Sequence, residues 1–187
     1  MSPGDGGRLD GMRSKNLGEL YDLPLVDWTR VTDRLAQGLT LPPGTGGPDH
    51  HTIWLVTTND DGSPHVNGIG AVWVDDTFWF CTGATSRKGR NLARDPRCAM
   101  SLATSEMELV VEGTAERVTN HETVARLCAR WADEWPCTVD ESGEALTAPF
   151  SAPSAGPPPW AIYRMTLTSA HALTISDPAG ATRWDFD

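Results

Sequence analysis

Lysine is nearly missing from this chain: Lys15 and Lys88 are the only two in 187 residues, so arginine supplies almost all of the positive charge. Basic residues of either kind are themselves scarce. The formal net charge is -10, with a pI near 4.8, which argues against nucleic acid or an anionic membrane surface as the general partner. No apolar run approaches the roughly 20 residues a membrane-spanning helix needs. The N-terminal residues also lack an apolar signal core, so the cytoplasm is the expected location. The four cysteines, Cys81, Cys98, Cys128 and Cys137, form no C-x-x-C pair. They sit mostly in apolar runs and read as reduced core thiols, neither a disulfide frame nor a zinc site. His50 and His51 are adjacent and have no further ligand at strand or helix spacing, so no metal is expected. No internal repeat is visible, and the length suits one domain with a full core.

Against that acidic background, positive charge is concentrated in one place. Arg87, Lys88, Arg90, Arg94 and Arg97 fall within eleven consecutive positions. Ser86 precedes them as a good helix N-cap, after a strand-like run and a Gly-Ala-Thr turn. A helix start presents free backbone N–H groups and partial positive charge, which disfavours Arg87 and Lys88 in its first turn unless an anion joins them. A phosphate site is one reading; a solvated basic turn is the plainer one. The local field opposes the global one, which suits a small anionic ligand better than a polyanion.

The rest of the chain reads as a β-meander with appended helices. Residues 1–20 are Gly-rich and polar and are expected to be disordered, leaving 21–187 as the folded domain. Asp27 caps a helix carrying Trp28, Val31 and Leu35, stopped at Gly38. Leu41–Pro48 is a linker. Strands are expected over 52–58, 64–74, 77–82, 98–103 and 109–118, joined by short polar turns. Residues 119–122 form a capping box, and Val124, Leu127, Cys128, Trp131 and Trp135 recur at helical spacing. The Pro-rich segment 136–160 is either a functional lid or a mobile insert. Strands over 160–168 and 171–175, then a short one over 181–186, complete the chain. The fold class is mainly β, an antiparallel barrel with flanking helices.

The run Ser86-Arg87-Lys88, followed by Asn91-Leu92-Ala93-Arg94-Asp95-Pro96-Arg97, resembles the phosphate-binding signature of the pyridoxamine 5'-phosphate oxidase-like flavin and deazaflavin proteins. The resemblance covers about 51–117 and weakens toward residue 186. It implies a Greek-key split β-barrel forming a homodimer with a cofactor in the cleft between subunits; eight tryptophans in so small a chain agree with an interface. It implies that Ser86, Arg87 and Lys88 clamp a cofactor phosphate, with Asn91 holding the loop or a second oxygen. It also places the ring system along Val66, Asn67, Gly68, Ile69, Gly70 and Ala71. Gly68 and Gly70 weaken a strand interior, and either a barrel bend or close approach of a flat ring explains them.

The implied activity is hydride transfer between the ring and a small unsaturated substrate, with the chemistry supplied by the cofactor. FMN and coenzyme F420 both fit. F420 is the favoured of the two, because the run Lys88-x-Arg90-Asn91-Leu92-x-Arg94-Asp95-Pro96-Arg97 is especially similar to the actinobacterial deazaflavin branch. Arg90, Arg94 and Arg97 could supply a basic track for its acidic tail, but Arg90 and Arg94 need not share the face of Lys88. Arg183 and Trp184 are substrate contacts or simply a pinned chain end. The vitamin B6 substrate motif near the C-terminus is absent, which puts oxidation of that vitamin in doubt. No side chain is singled out as catalytic. A non-catalytic flavin or tetrapyrrole-product binder is the alternative.

Overall fold

The computed structural model describes residues 8–9, 11–38, 53–132 and 136–187. Leu41–Pro48, His50, His51 and Trp135 lie outside the described residues. Two short hairpins begin the barrel. Strand β3 (Ile53–Thr58) turns into β4 (Pro64–Ile69) through Asn59–Ser63, where Gly62 takes φ +81° and Ser63 donates its backbone N–H to Asp61 Oδ1 at 2.9 Å. Only Gly70 separates β4 from β5 (Ala71–Val74). Asp75 and Asp76, at φ 52° and 56°, then make the two-residue turn to β6 (Thr77–Gly83), a left-handed pair that suits the twist of a hairpin.

Gly70 is where the barrel closes. Before it, β4 pairs with β3, Ile53 opposite Ile69; after it, β5 pairs with β6, Ala71 opposite Phe80. A strand that changes partners within one residue needs a sharp corner, and a glycine there has no side chain to place. From β6 the ring passes to the first part of β11 (Trp160–Thr174), then β8 (Met107–Val118), β7 (Arg97–Ala103) and back to β3. Closure leaves no edge inside the ring. The second half of β11 leaves β6 and pairs with β12 (Gly180–Phe186), which splits the barrel. The two expected strands over 160–175 are therefore one, interrupted by a register shift between Leu167 and Ser169.

The N-terminal tail differs from expectation. β2 (Met12–Asn16) pairs with β12, and β1 (Arg8–Leu9) with β2. Residues 12, 14 and 16 are half-buried while 13 and 15 are exposed, so a polar segment has just enough period-two alternation to cover an edge. Helix α1 (Trp28–Ala36) is capped by Asp27, which accepts from the Thr29 N–H. Trp28 packs on Trp184 and Phe186 with ring centroids 5.1 and 5.0 Å apart.

Two helices follow the barrel strands. α2 (Arg87–Arg94) connects β6 to β7, and α3 (His121–Ala132) follows β8. The cap of α3 is Asn120, whose Oδ1 accepts from the Thr123 N–H at 2.9 Å, one residue later than the Thr119 expected of a capping box. The Pro-rich segment is partly ordered: β9 (Thr138–Val139) and β10 (Ala145–Thr147) form a hairpin, and β10 pairs with the start of β11. Inside, Phe78, Phe80, Leu55, Ile53, Met100 and Leu109 are fully buried, and Phe80 stacks on Tyr163.

Candidate functional site

α2 begins against the end of β6. Ser86 Oγ accepts the Gly89 N–H at 3.0 Å and shares a 2.9 Å hydrogen bond with Thr82 Oγ1. Gly89 is required by contact: a Cβ there would lie 2.4 Å from the Gly83 carbonyl oxygen. The packed cap leaves the backbone N–H groups of Arg87 and Lys88 heading the helix, with no partner among the described residues. Donors of this kind, at the positive end of the helix dipole, favour an anion.

The five clustered cations separate by what they touch. Arg90 donates to the Thr85 carbonyl, Arg94 to Asp60 and the Thr58 carbonyl, and Arg97 to Asp95 at 2.7 Å. These three are engaged with the protein's own groups. Arg87 is exposed and makes no hydrogen bond or ion pair among the described residues. Lys88 turns inward and is 2% exposed; its Nζ donates to the carbonyl of Ser154. Burial pushes its pKa down to about 8, while the nearby Cys81 thiol is pushed up by its own burial to about 12.

Asn91 ties the helix to the barrel. Its Nδ2 donates to Thr57 Oγ1 at 3.0 Å and to Asn59 Oδ1 at 3.1 Å. Thr57 lies opposite His65 on β4, so this link ties α2 through β3 to the strand holding Val66–Ile69. His65 belongs to the same electrostatic neighbourhood: burial, then Arg87 and Lys88, hold its pKa below the usual value. As a lone histidine beside a turn, His65 carries no signal of this in the sequence. Only the pairing of Thr57 with both Asn91 and His65 could have revealed its place.

Along β4, alternate residues face opposite ways. Val66 and Gly68 look outward beside Val56 and Trp54, while Asn67 and Ile69 lie opposite Leu55 and Ile53 of the core face. Val66 is 52% exposed and Trp54 47%, so the outer surface around Gly68 is apolar and accessible. Asn67 Nδ2 donates to the Gly68 carbonyl at 3.1 Å, which fixes the orientation of its amide. Its Oδ1 is then a buried side-chain acceptor with no hydrogen-bond partner among the described residues, an arrangement that calls for a donor. Arg87 and the two helix amides, unpartnered among the described residues, suit an anionic group, while Asn67 Oδ1 on the core face of β4 is a separate unsatisfied acceptor.

Arg183 and Trp184 do not join this site within one protomer. They lie on β12, whose neighbours are β11 and β2, whereas α2 packs on β3 and β6. Trp184 is 1% exposed, wedged against Trp28. Arg183 binds Asp185 at 2.8 Å and His171 at 3.2 Å. Trp73 packs edge-on against Phe78, and Trp79 donates to the Val74 carbonyl, so both are accounted for by packing. A shallow depression of about 520 Å³ lies on the outer face of β3, β7 and β8, lined by Val56, Thr58, Ala99, Glu112 and Thr114 among others. No cluster of three His, Cys, Asp or Glu among the described residues is placed to hold a metal. No helix among them is long and apolar enough to cross a membrane.

The profile of the pyridoxamine 5'-phosphate oxidase family matches residues 47–171. A pyridoxine/pyridoxamine 5'-phosphate oxidase from Burkholderia lata is 29% identical over 139 residues, 65% of each chain. The chain thus spans just under two thirds of that relative's length. Among solved structures, PhzG from Burkholderia lata 383, crystallised with tetrahydrophenazine-1-carboxylic acid, gives a TM-score of 0.57 at 19% identity, covering 98% of this chain and 95% of its own. Conserved hypothetical protein Rv2991 from Mycobacterium tuberculosis gives 0.54 at 21% identity, covering 79% of this chain and 84% of its own. At such identities the likeness of these two structures is one of fold.

Proposed function

Because the chain belongs to the pyridoxamine 5'-phosphate oxidase family, we propose that it is an oxidoreductase using a flavin-type cofactor, FMN or F420, held by its phosphate at the head of α2. The observation that carries this reading is Arg87 beside two helix amides, all without partners among the described residues, in a run where the three later arginines have partners. A compact clamp of this kind suits one phosphate group. The engagement of Arg90, Arg94 and Arg97 weakens the argument that a long basic track waits for an acidic tail.

In this reading Ser86 holds the first turn, Arg87 grips the phosphate as a fork, and Lys88 adds a second charge. Gly68 lets a flat ring approach the outer face of the β4 backbone. Val66 and Trp54 exclude water from its face. The bound ring itself supplies the hydride chemistry; the chain binds, orients and shields it, and a small unsaturated molecule is the substrate.

We further propose a homodimer formed through the outer face of the barrel. Trp54, Ser101, Val110, His171 and Arg183 lie in register across β3, β7, β8, β11 and β12. Trp54, Val66, Val110 and Leu173 are exposed on that face, and exposed apolar surface of this kind favours association. A second copy laid on it can bring Arg183 of one protomer toward the clamp of the other.

The test is titration of the purified chain with FMN and with F420 by absorbance and fluorescence, beside Arg87→Ala. One cofactor should bind at micromolar level, and the variant should lose about 1.5–3 kcal/mol, the range for a hydrogen bond to a charged group. Failure of both cofactors to bind would remove the reading. Tight binding without turnover would replace catalysis with storage. Light scattering should give the dimer mass; a monomer that binds cofactor fully would remove the interface.

A further inference from the structure

We propose that residues 150–157 form a strap that holds Lys88 away from the head of α2 in the ligand-free chain and releases it when a phosphate-bearing ligand binds. This rests on the reading of that helix end as a phosphate site. The strap is fastened from three sides. The Gly83 N–H donates to the Ala155 carbonyl at 3.0 Å, Lys88 Nζ donates to the Ser154 carbonyl, and Trp160 Nε1 donates to the Gly156 carbonyl at 2.9 Å. Its tip closes on itself, with Ala152 and Gly156 exchanging backbone hydrogen bonds of 3.1 and 2.7 Å and Gly156 at φ +78°. Ala155 is buried against the end of β6.

The unusual element is the partner given to the lysine. Lys88 is among the most buried polar residues of the chain, and its ammonium meets a neutral carbonyl where a carboxylate would be expected. A buried ammonium with only a neutral acceptor is poorly compensated. A phosphate offers a charge-assisted bond about twice as strong. Arg87 and Lys88 are consecutive on the first turn, so an anion held by Arg87 and the helix amides comes within the sweep of the flexible lysine stem. The ammonium has three N–H donors, so the choice is one of position: Nζ lies buried beside Ser154 or swings out to an anion beside exposed Arg87. When the anion wins, the strap loses one of its three fastenings and is freed to rearrange over the site.

Gly83→Ala separates the strap from the clamp. A Cβ at Gly83 would lie 2.7 Å from the Ala155 carbonyl oxygen and 3.2 Å from that of Pro157, so it displaces the strap and leaves Lys88 and Arg87 intact. The experiment measures FMN and F420 affinity by fluorescence for both proteins, with hydrogen exchange of peptides covering 150–157 with and without ligand. In the native sequence, saturating ligand should accelerate exchange in 150–157. Gly83→Ala should exchange quickly without ligand and bind at least about threefold tighter, because the competing state is depopulated. Binding that leaves exchange in 150–157 unchanged or slowed overturns the strap while the phosphate reading stands. If neither cofactor binds either protein, the phosphate reading falls and the strap's release with it. The exchange measurement on the native sequence decides the matter even if the variant does not fold.

Discussion

Replacing Lys88 with methionine should stabilise the folded chain at neutral pH while weakening its hold on a phosphate ligand. The side chain is 2% exposed, and burial lowers its pKa from the ordinary 10.5 to about 8. At about 1.36 kcal/mol per pH unit, keeping the amine charged in the fold costs about 3 kcal/mol. Methionine fills a similar volume and forfeits the donor to Ser154, worth about 1 kcal/mol. The net gain is about 2 kcal/mol. The pH dependence is the sharper readout. Between about pH 8 and 10.5 the unfolded chain keeps a proton on this amine that the folded chain has released, so the native protein gains stability as pH rises through that window. Below pH 8 both states are protonated and the cost is present in full. Cys98 and Cys137, pushed up to about 12 by burial, pull the other way equally in both proteins, while Cys81, which the Lys88 charge holds down against its burial, is pushed further up in the variant. Urea unfolding of the two at pH 7.5 and pH 10 isolates the lysine, since the advantage of Lys88→Met should shrink toward zero or reverse at the higher pH. A variant less stable at pH 7.5, or an advantage independent of pH, would refute the account of a charged, poorly compensated lysine.

Other outcomes follow from the same geometry. An anion beside Arg87 and Lys88 offsets the charges that depress His65, so ligand binding should take up a proton; affinity should rise as pH falls below neutrality, and His65→Gln should lose that part of the rise in parallel titrations. Thiols with pKa pushed up to about 12 have a thiolate fraction of about 10⁻⁴ at pH 8. Cys81, Cys98 and Cys137 should therefore react slowly with an aromatic disulfide reagent until the protein is denatured, and rapid reaction of all three would contradict their burial. Gly89→Ala, which in an open helix would gain about 1 kcal/mol, should instead lose stability in urea, because its Cβ meets the Gly83 carbonyl at 2.4 Å.

Local signals carried much of the fold. Ser86, Asp27 and the turns at 59–63 and 75–76 are short-range chemistry, satisfied by neighbours a few residues away, and each stands where its residue types place it. The apolar alternation of β3, β7 and β8 likewise declares strands that have one face in a core. Less was legible where the partner is distant. The tail at 12–16 has too little apolar content to announce a strand, and it becomes one because β12 offers an edge. Asn120 takes the cap of α3 from Thr119, a choice between two adequate residues set by where β8 ends. At the candidate site, the basic run 87–97 and its N-cap are visible in the residues, but the fate of each charge is not.

The sequence by itself determined that this chain is a mainly β domain with an anion-friendly helix start at Ser86, because caps, turns and strand periodicity depend on contacts close along the chain. Only the tertiary structure decided that Gly70 is the corner closing the barrel, that Arg87 is unpaired among the described residues while Arg90, Arg94 and Arg97 are engaged, and that Lys88 lies beneath Ser154, 66 residues away. Those outcomes rest on which segments meet across the fold. Burial, pKa and the position of a single ammonium group depend on such meetings, and no local pattern encodes them.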